Sequence, residues 1–494
     1  MDSRCIRSEG IFLITSKNLI IFMSLVSLFV LNSIGAKVPI IALGIALMEW
    51  AYLIICCLIK RYYTAFVAMI VFITISMETT TFVAEIVTDD LVVYSVYSLP
   101  IIRSFPCYML ILFLTCALYT KYKKHYYANI HKYKSLKKVL SFFPFMFLSA
   151  ALTGIVVYFL NDNGVADTTW YLRKYIEFVI KIITLMALIF ATAIIVISDE
   201  KKKPELENII ELLLVSCAFA TTITLLFGWT GYYGTKGRLI LMPLSASLCA
   251  VLIWLADFKE KNKLFYMLLG IVFTLEIVFF AGSQMGSKFY LLPALSIILI
   301  IANNIKKGKI HILLGIVIII LLAIISGSLS LNITLDSYNN WKVNQLLQMF
   351  QFKGKSLETW YLHLNNSPKV RVDEFMSILC EYLKKPAYAI FGKGAAGTIT
   401  HLWGDTIWNI KGSGAFSDYE IDSNIYMFMH ESLNVIFIRH GILGLVFLIT
   451  TMISLAKRLL KNPWALIGMI WLFFYWGTYR SWWIGAVAMV LALV

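Results

Sequence analysis

From residue 367 to 371 the chain reads Ser-Pro-Lys-Val-Arg, a helix-opening pattern in which Ser suits the cap and Pro the first turn. The run to Lys385 then places Val372, Phe375, Met376, Leu379 and Leu383 on one face. Lys369 and Arg371 fall at the positive end of that helix, where free amides and the macrodipole add to side-chain charge. Such a place suits a phosphate or pyrophosphate; the competing reading is a solvated helix terminus. Arg103, between Pro100 and Pro106 in an interrupted apolar stretch, is costly against lipid, so it must face protein, water or a phosphate. Further on, Gly392-Lys393-Gly394-Ala395-Ala396-Gly397 has the spacing of a dinucleotide fingerprint. That fingerprint needs a preceding strand in a βαβ unit and an acidic residue about twenty positions on. The better reading is a glycine turn that lets the chain approach the membrane face. Trp341, Trp360, Trp403 and Trp408 lie in the same region and suit two roles equally, stacking on sugar rings or anchoring at a bilayer surface.

The elements that must position these residues are membrane helices. The chain has 494 residues, 60% of them hydrophobic and 14% charged, with a mean hydropathy of +0.79. Soluble globular proteins carry about 25% charged residues, so a soluble enzyme is excluded. Ordinary Gly, Pro and Cys contents exclude a collagen, a disordered chain and a small disulfide scaffold. Continuous apolar runs such as 315–325 exclude a transmembrane β-barrel, whose strands alternate. Apolar runs near 11–34, 38–59, 64–88, 97–120, 139–160, 175–198, 208–228, 239–257, 264–281, 289–304, 312–331, 433–456, 464–478 and 481–494 predict an all-α polytopic integral membrane protein. Its 12–14 transmembrane helices would divide into a bundle over 1–331 and C-terminal spans over 431–494. Between them, 332–430 forms one large extracytoplasmic loop with short helices; its nine basic and nine acidic residues and many aromatics mark it as structured.

The net charge of +15 is not gathered into a nucleic-acid patch. Basic residues instead cluster at Arg4/Arg7/Lys17, Lys60/Arg61, Lys121 to Lys138, Lys201–Lys203, Lys259/Lys261/Lys263, Lys306/Lys307/Lys309 and Lys457/Arg458/Lys461, every cluster in an alternate loop. By the positive-inside rule, those loops and both termini are cytoplasmic, and the bilayer is the partner. The first span, flanked by Arg4 and Arg7, can serve as an uncleaved signal anchor. No internal repeat of fixed period is present, which weakens a secondary-transporter reading. The cysteines suggest neither a disulfide framework nor a paired metal-thiolate site.

The end of the loop reads His430-Glu431-Ser432-Leu433, followed by Arg439-His440-Gly441-Ile442-Leu443-Gly444-Leu445 inside a span. This resembles the superfamily of O-antigen polymerases (Wzy-type) and O-antigen ligases, in which a loop ends in His, then Leu, then Gly-x-x-Gly-Leu. Arg238 in Lys236-Gly237-Arg238-Leu239 is similar to the family's first outer Arg, and Gly282-Ser283 through Ser287-Lys288 resembles its outer Ser-Arg element, with Lys in place of Arg. Arg371 leading into Phe391-Gly392-Lys393-Gly394 and Gly397-Thr398 is similar to its loop-Arg helix and Gly-x-Gly element. The resemblance covers about 230–450.

What the resemblance implies is a glycosyltransferase at the outer face of the bacterial plasma membrane, acting on sugars carried by undecaprenyl pyrophosphate. Arg238 and Arg371 would stabilise the leaving pyrophosphate, with Lys288 behind them as a point charge rather than a planar fork. His430 would be the general base toward an acceptor hydroxyl, since imidazole titrates near neutrality. Lys369, Arg103 and Glu431 would contact substrate, Glu431 standing where many relatives carry an amide. Arg439, roughly 13 Å deeper on the helix, is expected to pair inside the bundle. The donor is already activated, so neither nucleotide, metal nor other cofactor is implied. The activity expected is polymerisation of O antigen or capsule, in company with a chain-length regulator protein. The alternatives are a ligase that moves the finished glycan to lipid A core and, from another class, a polysaccharide flippase.

Overall fold

The computed structural model describes residues 16–35, 38–76, 95–97, 99, 104–162, 164–165, 167–226, 356–364, 366–403, 416, 418–427, 429–459, 462–474 and 483–494. Arg103, Arg238 and Lys288 lie outside them, as do the spans expected between 239 and 331. In chain order the described helices are α1 (Ser16–Gly35), α2 (Pro39–Leu58), α3 (Tyr62–Ser76), α4 (Phe105–Asn129), α5 (Lys134–Phe159), α6 (Thr168–Ser198) and α7 (Lys202–Leu226). They continue with α8 (Leu357–Leu362), α9 (Asn366–Lys384), α10 (Ala387–Phe391), α11 (Asp418–Ser423), α12 (Ser432–Ala456), α13 (Pro463–Phe474) and α14 (Trp483–Leu493). Among the described residues there is no strand, only the isolated bridge Ile399–Tyr426. Six of these segments are long and apolar enough to cross a bilayer: Lys17–Gly35, Pro39–Leu58, Phe105–Lys132, Lys134–Phe159, Thr168–Ser198 and Ser432–Ala456. The described residues are thus mostly helical, with six candidate membrane spans, as an all-α polytopic membrane protein would have.

It divides into two compact units, one of Met1–Ile45, Glu78–Val87 and Asn208–Leu335, the other of Ala46–Met77, Thr88–Glu207 and Asp336–Val494. In the first, α1 packs on the part of α7 beyond residue 207 through the Phe22 and Phe219 rings, 5.6 Å apart. The Asn208 amide donates to Asn18 Oδ1 at 3.3 Å beside them.

The second unit is built around α6, 78% of whose apolar window is buried against 28% for α5, so α6 is central and α5 peripheral. The helix opens seven residues before the apolar run predicted it would, because Asp167 caps it. One carboxylate oxygen accepts the Thr169 and Trp170 amides at 3.0 Å each. Tyr171 and Tyr175 on α6 donate to Gly154 O and Ala151 O of α5 at 3.1 and 2.8 Å, tying the two spans together.

Four of the basic clusters meet at one end of this unit. Lys202 Nζ lies 4.1 Å from the centre of the Tyr63 ring, beside Lys60 and Arg61. Asn129 and Ser198 bond backbone carbonyls across the α4 and α6 termini. Arg458 Nη2 reaches Ser135 Oγ at 3.3 Å, joining the end of α12 to the lysine-rich start of α5. The two spans thus run antiparallel with their basic ends together.

The last long span, α12, is broken at Gly441, whose φ of 59° and ψ of −151° interrupt the helix. Carbonyls near such a break need new donors, since lipid supplies none. Phe437 O accepts Tyr382 OH at 2.6 Å, and Ile438 O accepts Tyr382 OH at 3.1 Å and the Lys393 amide at 2.7 Å.

Candidate functional site

The site forms where α9 crosses the start of α12. The expected helix is present, but it opens at Asn366 and so places Ser367 and Pro368 inside its first turn and Arg371 in its second. Its buried face also differs from the apolar one read from sequence. Val370, Asp373, Glu374, Ser377, Ile378 and Tyr382 are the enclosed positions, at the same three-to-four spacing, while Leu383 is 80% exposed. The physical reason is that polar groups on α9 find partners on α12 and on the returning loop, and burial follows those partners rather than the aliphatic stripe.

Glu374 is fully buried and accepts hydrogen bonds with both carboxylate oxygens. The His430 backbone amide lies 3.1 Å from each of them, His430 Nδ1 is 2.5 Å from Oε1, and Asn434 Nδ2 donates to Oε2 at 3.0 Å. Asn434 Nδ2 also donates to Arg371 O at 3.0 Å, which fixes the first turn of α12 against α9. A carboxylate at Nδ1 selects the tautomer that carries its proton there, and leaves Nε2 as the nitrogen able to take one. The imidazole keeps 26% of its side-chain surface in the open while its partner carboxylate has none. Phe416 meets the ring edge-on with centroids 5.2 Å apart, closing one side. The histidine is thus oriented from behind and accessible in front, the arrangement that a general base requires.

The chain leading into His430 is held as firmly. The buried Glu420 accepts the Met427 amide at 2.9 Å, and the Ile399–Tyr426 bridge pairs both backbone groups at 2.9 Å. The returning loop is pinned to α9 as well: Trp403 N donates to Ser377 Oγ at 2.7 Å, and Thr400 donates twice to Glu381 Oε1, at 3.1 and 2.8 Å.

Of the residues singled out from sequence, His430, Glu431 and Arg371 are brought together, with Arg371 Nε donating to the Glu431 carboxylate. Lys369 lies two residues before Arg371, its ammonium 4.8 Å from the centre of the Tyr361 ring. Arg103, Arg238 and Lys288, expected to join them, lie outside the described residues. Arg439 does turn into the bundle, 2% exposed, with its guanidinium 3.9 Å from the centre of the Phe178 ring. Glu374 was not anticipated: in the sequence it is one more charge on a mixed helix, 56 positions from its partner. The signal that points to it is the polar stripe Asp373/Glu374, Ser377, Glu381, spaced to share one face.

Next to the dyad, Asp373 is 1% exposed and accepts Tyr361 OH at 2.5 Å through Oδ1. Burial pushes its carboxyl up to about 6, against smaller lowering contributions from the Tyr361 hydroxyl and the Lys369 charge. Among the described residues no group of three or more His, Cys, Asp or Glu side chains is disposed to hold a metal ion. Compared with protein families, curated proteins and solved structures, the chain matches none.

Proposed function

We propose that the chain is a membrane glycosyltransferase that polymerises a surface polysaccharide, moving a growing glycan from a polyprenyl pyrophosphate carrier onto a lipid-linked repeat unit. The observation that carries this reading is the His430–Glu374 pair at the mouth of a span. A base placed where a transmembrane helix begins can meet an acceptor hydroxyl whose own carrier is anchored in the bilayer. The acceptor oxygen attacks the anomeric carbon and its proton passes to His430 Nε2. The bond from that carbon to the pyrophosphate oxygen breaks, and the lipid pyrophosphate leaves with the electron pair. Arg371, one turn from Glu374, supplies cationic charge on the same helix, and Glu431 fixes its orientation. Glu374 acts through His430, as a positioning residue.

The test is a deletion strain whose surface polysaccharide is profiled on gels beside its extracted lipid-linked intermediates. Single repeat units in place of long chains support the polymerase; long chains retained on the carrier indicate the ligase; an unchanged ladder overturns transferase activity. Complementation with His430→Ala should lower chain formation by about 10²–10⁴-fold, the usual worth of a general base. Glu374→Gln should cost less than His430→Ala, and the exposed His131→Ala should cost nothing. Equal effects at positions 430 and 131 would remove His430 from the mechanism.

A further inference from the structure

We infer that residues 389–397 are a re-entrant membrane segment, dipping into the bilayer between α5 and α12 with Ile390 and Phe391 against lipid. The segment is bracketed at both ends by the edge of α5. Where it starts, the Lys385 ammonium and Tyr388 OH both bind Asp162, the hydroxyl at 2.6 Å, just past the uncharged apolar run 139–160. Where it ends, a Cβ on Gly164 would lie 2.5 Å from the Thr400 methyl, again beyond that run. Between these points the chain goes deeper. A Cβ on Gly394 would lie 2.1 Å from Gly154 N, and the Ala395 amide donates to Ala150 O at 3.0 Å. At 1.5 Å per helical residue, Gly154 and Ala150 lie about 9 and 15 Å inside the end of the apolar run.

The second span gives a similar depth independently. Lys393 N donates to Ile438 O at 2.7 Å, and Ile438 lies about 9 Å along α12 from its first residue. Non-helical backbone is tolerated at such depth only when protein satisfies it. Here the amides of Gly392, Lys393, Ala395 and Gly397 all donate to backbone carbonyls, at 2.7 to 3.0 Å. The one charge in the dip, Lys393, is 1% exposed and 3.4 Å from the Glu381 carboxylate, as a membrane-buried cation requires. Ile390 and Phe391 instead face outward, 52% and 42% exposed, beside the break in α12, where a Cβ on Gly441 would lie 2.6 Å from Ile390 O and the exposed apolar stripe Ile442, Val446 and Ile449 follows. What covers that stripe on a spanning helix is acyl chain, and continuity assigns the same occupant to the dip.

The inference needs only that α5 and α12 span; it does not depend on the transfer chemistry. It is tested on the full chain in phosphatidylcholine vesicles, with a small fluorescent noncanonical amino acid at Ile390, at Phe391, or at the exposed Asp422 as control. Doxyl groups on the lipid acyl chains should quench positions 390 and 391 several-fold more than 422, and aqueous iodide should do the reverse. Phe391 alone carries the test if the 390 variant accumulates poorly. Iodide quenching at 390 and 391 equal to that at 422 would overturn the re-entrant segment.

Discussion

Asp373 and Glu374 are neighbours on α9 with opposite environments. Glu374 has three donors around its two oxygens, whereas Asp373 has Tyr361 on Oδ1 and a buried Oδ2 without a hydrogen-bond partner among the described residues. An acid raised to about 6 in the folded chain, against about 3.9 unfolded, holds its proton longer when folded. Stability therefore falls as pH rises from about 4 to 6 and stays lower above that window, by an amount on the order of 2–3 kcal/mol. Asp373→Asn keeps the acceptor for Tyr361 and removes the titration. It should melt above the wild type at pH 7.5, and the gap should narrow to about a third at pH 4.5. A gap of the same size at both pH values would show that ionisation of Asp373 is not what separates the two proteins. At this scale the sequence singled out His430, Glu431 and Arg371 by their pattern, and the structure pairs Arg371 with Glu431. The sequence did not reveal the Glu374 carboxylate, because a contact across 56 residues leaves no local spacing to read.

Single elements show why some glycines are fixed and others are not. Gly392 and Gly394 have φ of 76° and 86°, and an added Cβ would lie 2.3 Å from Arg439 C and 2.1 Å from Gly154 N respectively. Both neighbours are backbone and cannot swing aside. Gly44, inside α2, has nothing within 4 Å of its Cβ position. Gly392→Ala and Gly394→Ala should each destabilise by about 2 kcal/mol or more through positive φ and overpacking. Gly44→Ala should instead stabilise by up to about 1 kcal/mol, because only helix propensity changes. Thermal melts in one detergent separate the cases, and comparable melting of Gly392→Ala and Gly44→Ala would refute the close approach. The glycine turn was legible in the sequence, as one approaching the membrane face; the close approach in the structure is to the backbone of α5 and α12. Its partners were not legible, since α5 and the break at Gly441 are brought to it only by tertiary packing. The apolar stripe of α9 misled for a related reason: in a membrane protein, an aliphatic face does not have to be the buried one.

At the scale of the whole second unit, charge distinguishes the two ends of the spans. The hydropathy of the sequence located the long helices of the second unit, and the alternation of its lysine clusters anticipated that these would share one side. Contacts at Tyr63, Ser135 and between the α4 and α6 termini bring four such clusters to one end of that unit. The His430–Glu374 pair lies at the other, at the opposite end of α12 from Arg458. All seven lysines from Lys121 to Lys138 are exposed and no acidic residue stands among them. Beside an anionic leaflet each contributes roughly 1 kcal/mol, and moving them across the bilayer would forfeit that sum. The lysine end should therefore be cytoplasmic and the histidine end outside. Alkaline phosphatase, which gains its disulfides only outside the cytoplasm, should be inactive when fused after Lys132 and active when fused after His363. A cytoplasmic reporter should give the reverse pattern. Active phosphatase after Lys132 would invert the topology and turn His430 toward the cytoplasm. The acceptor would then have to be sought among sugars on the inner face.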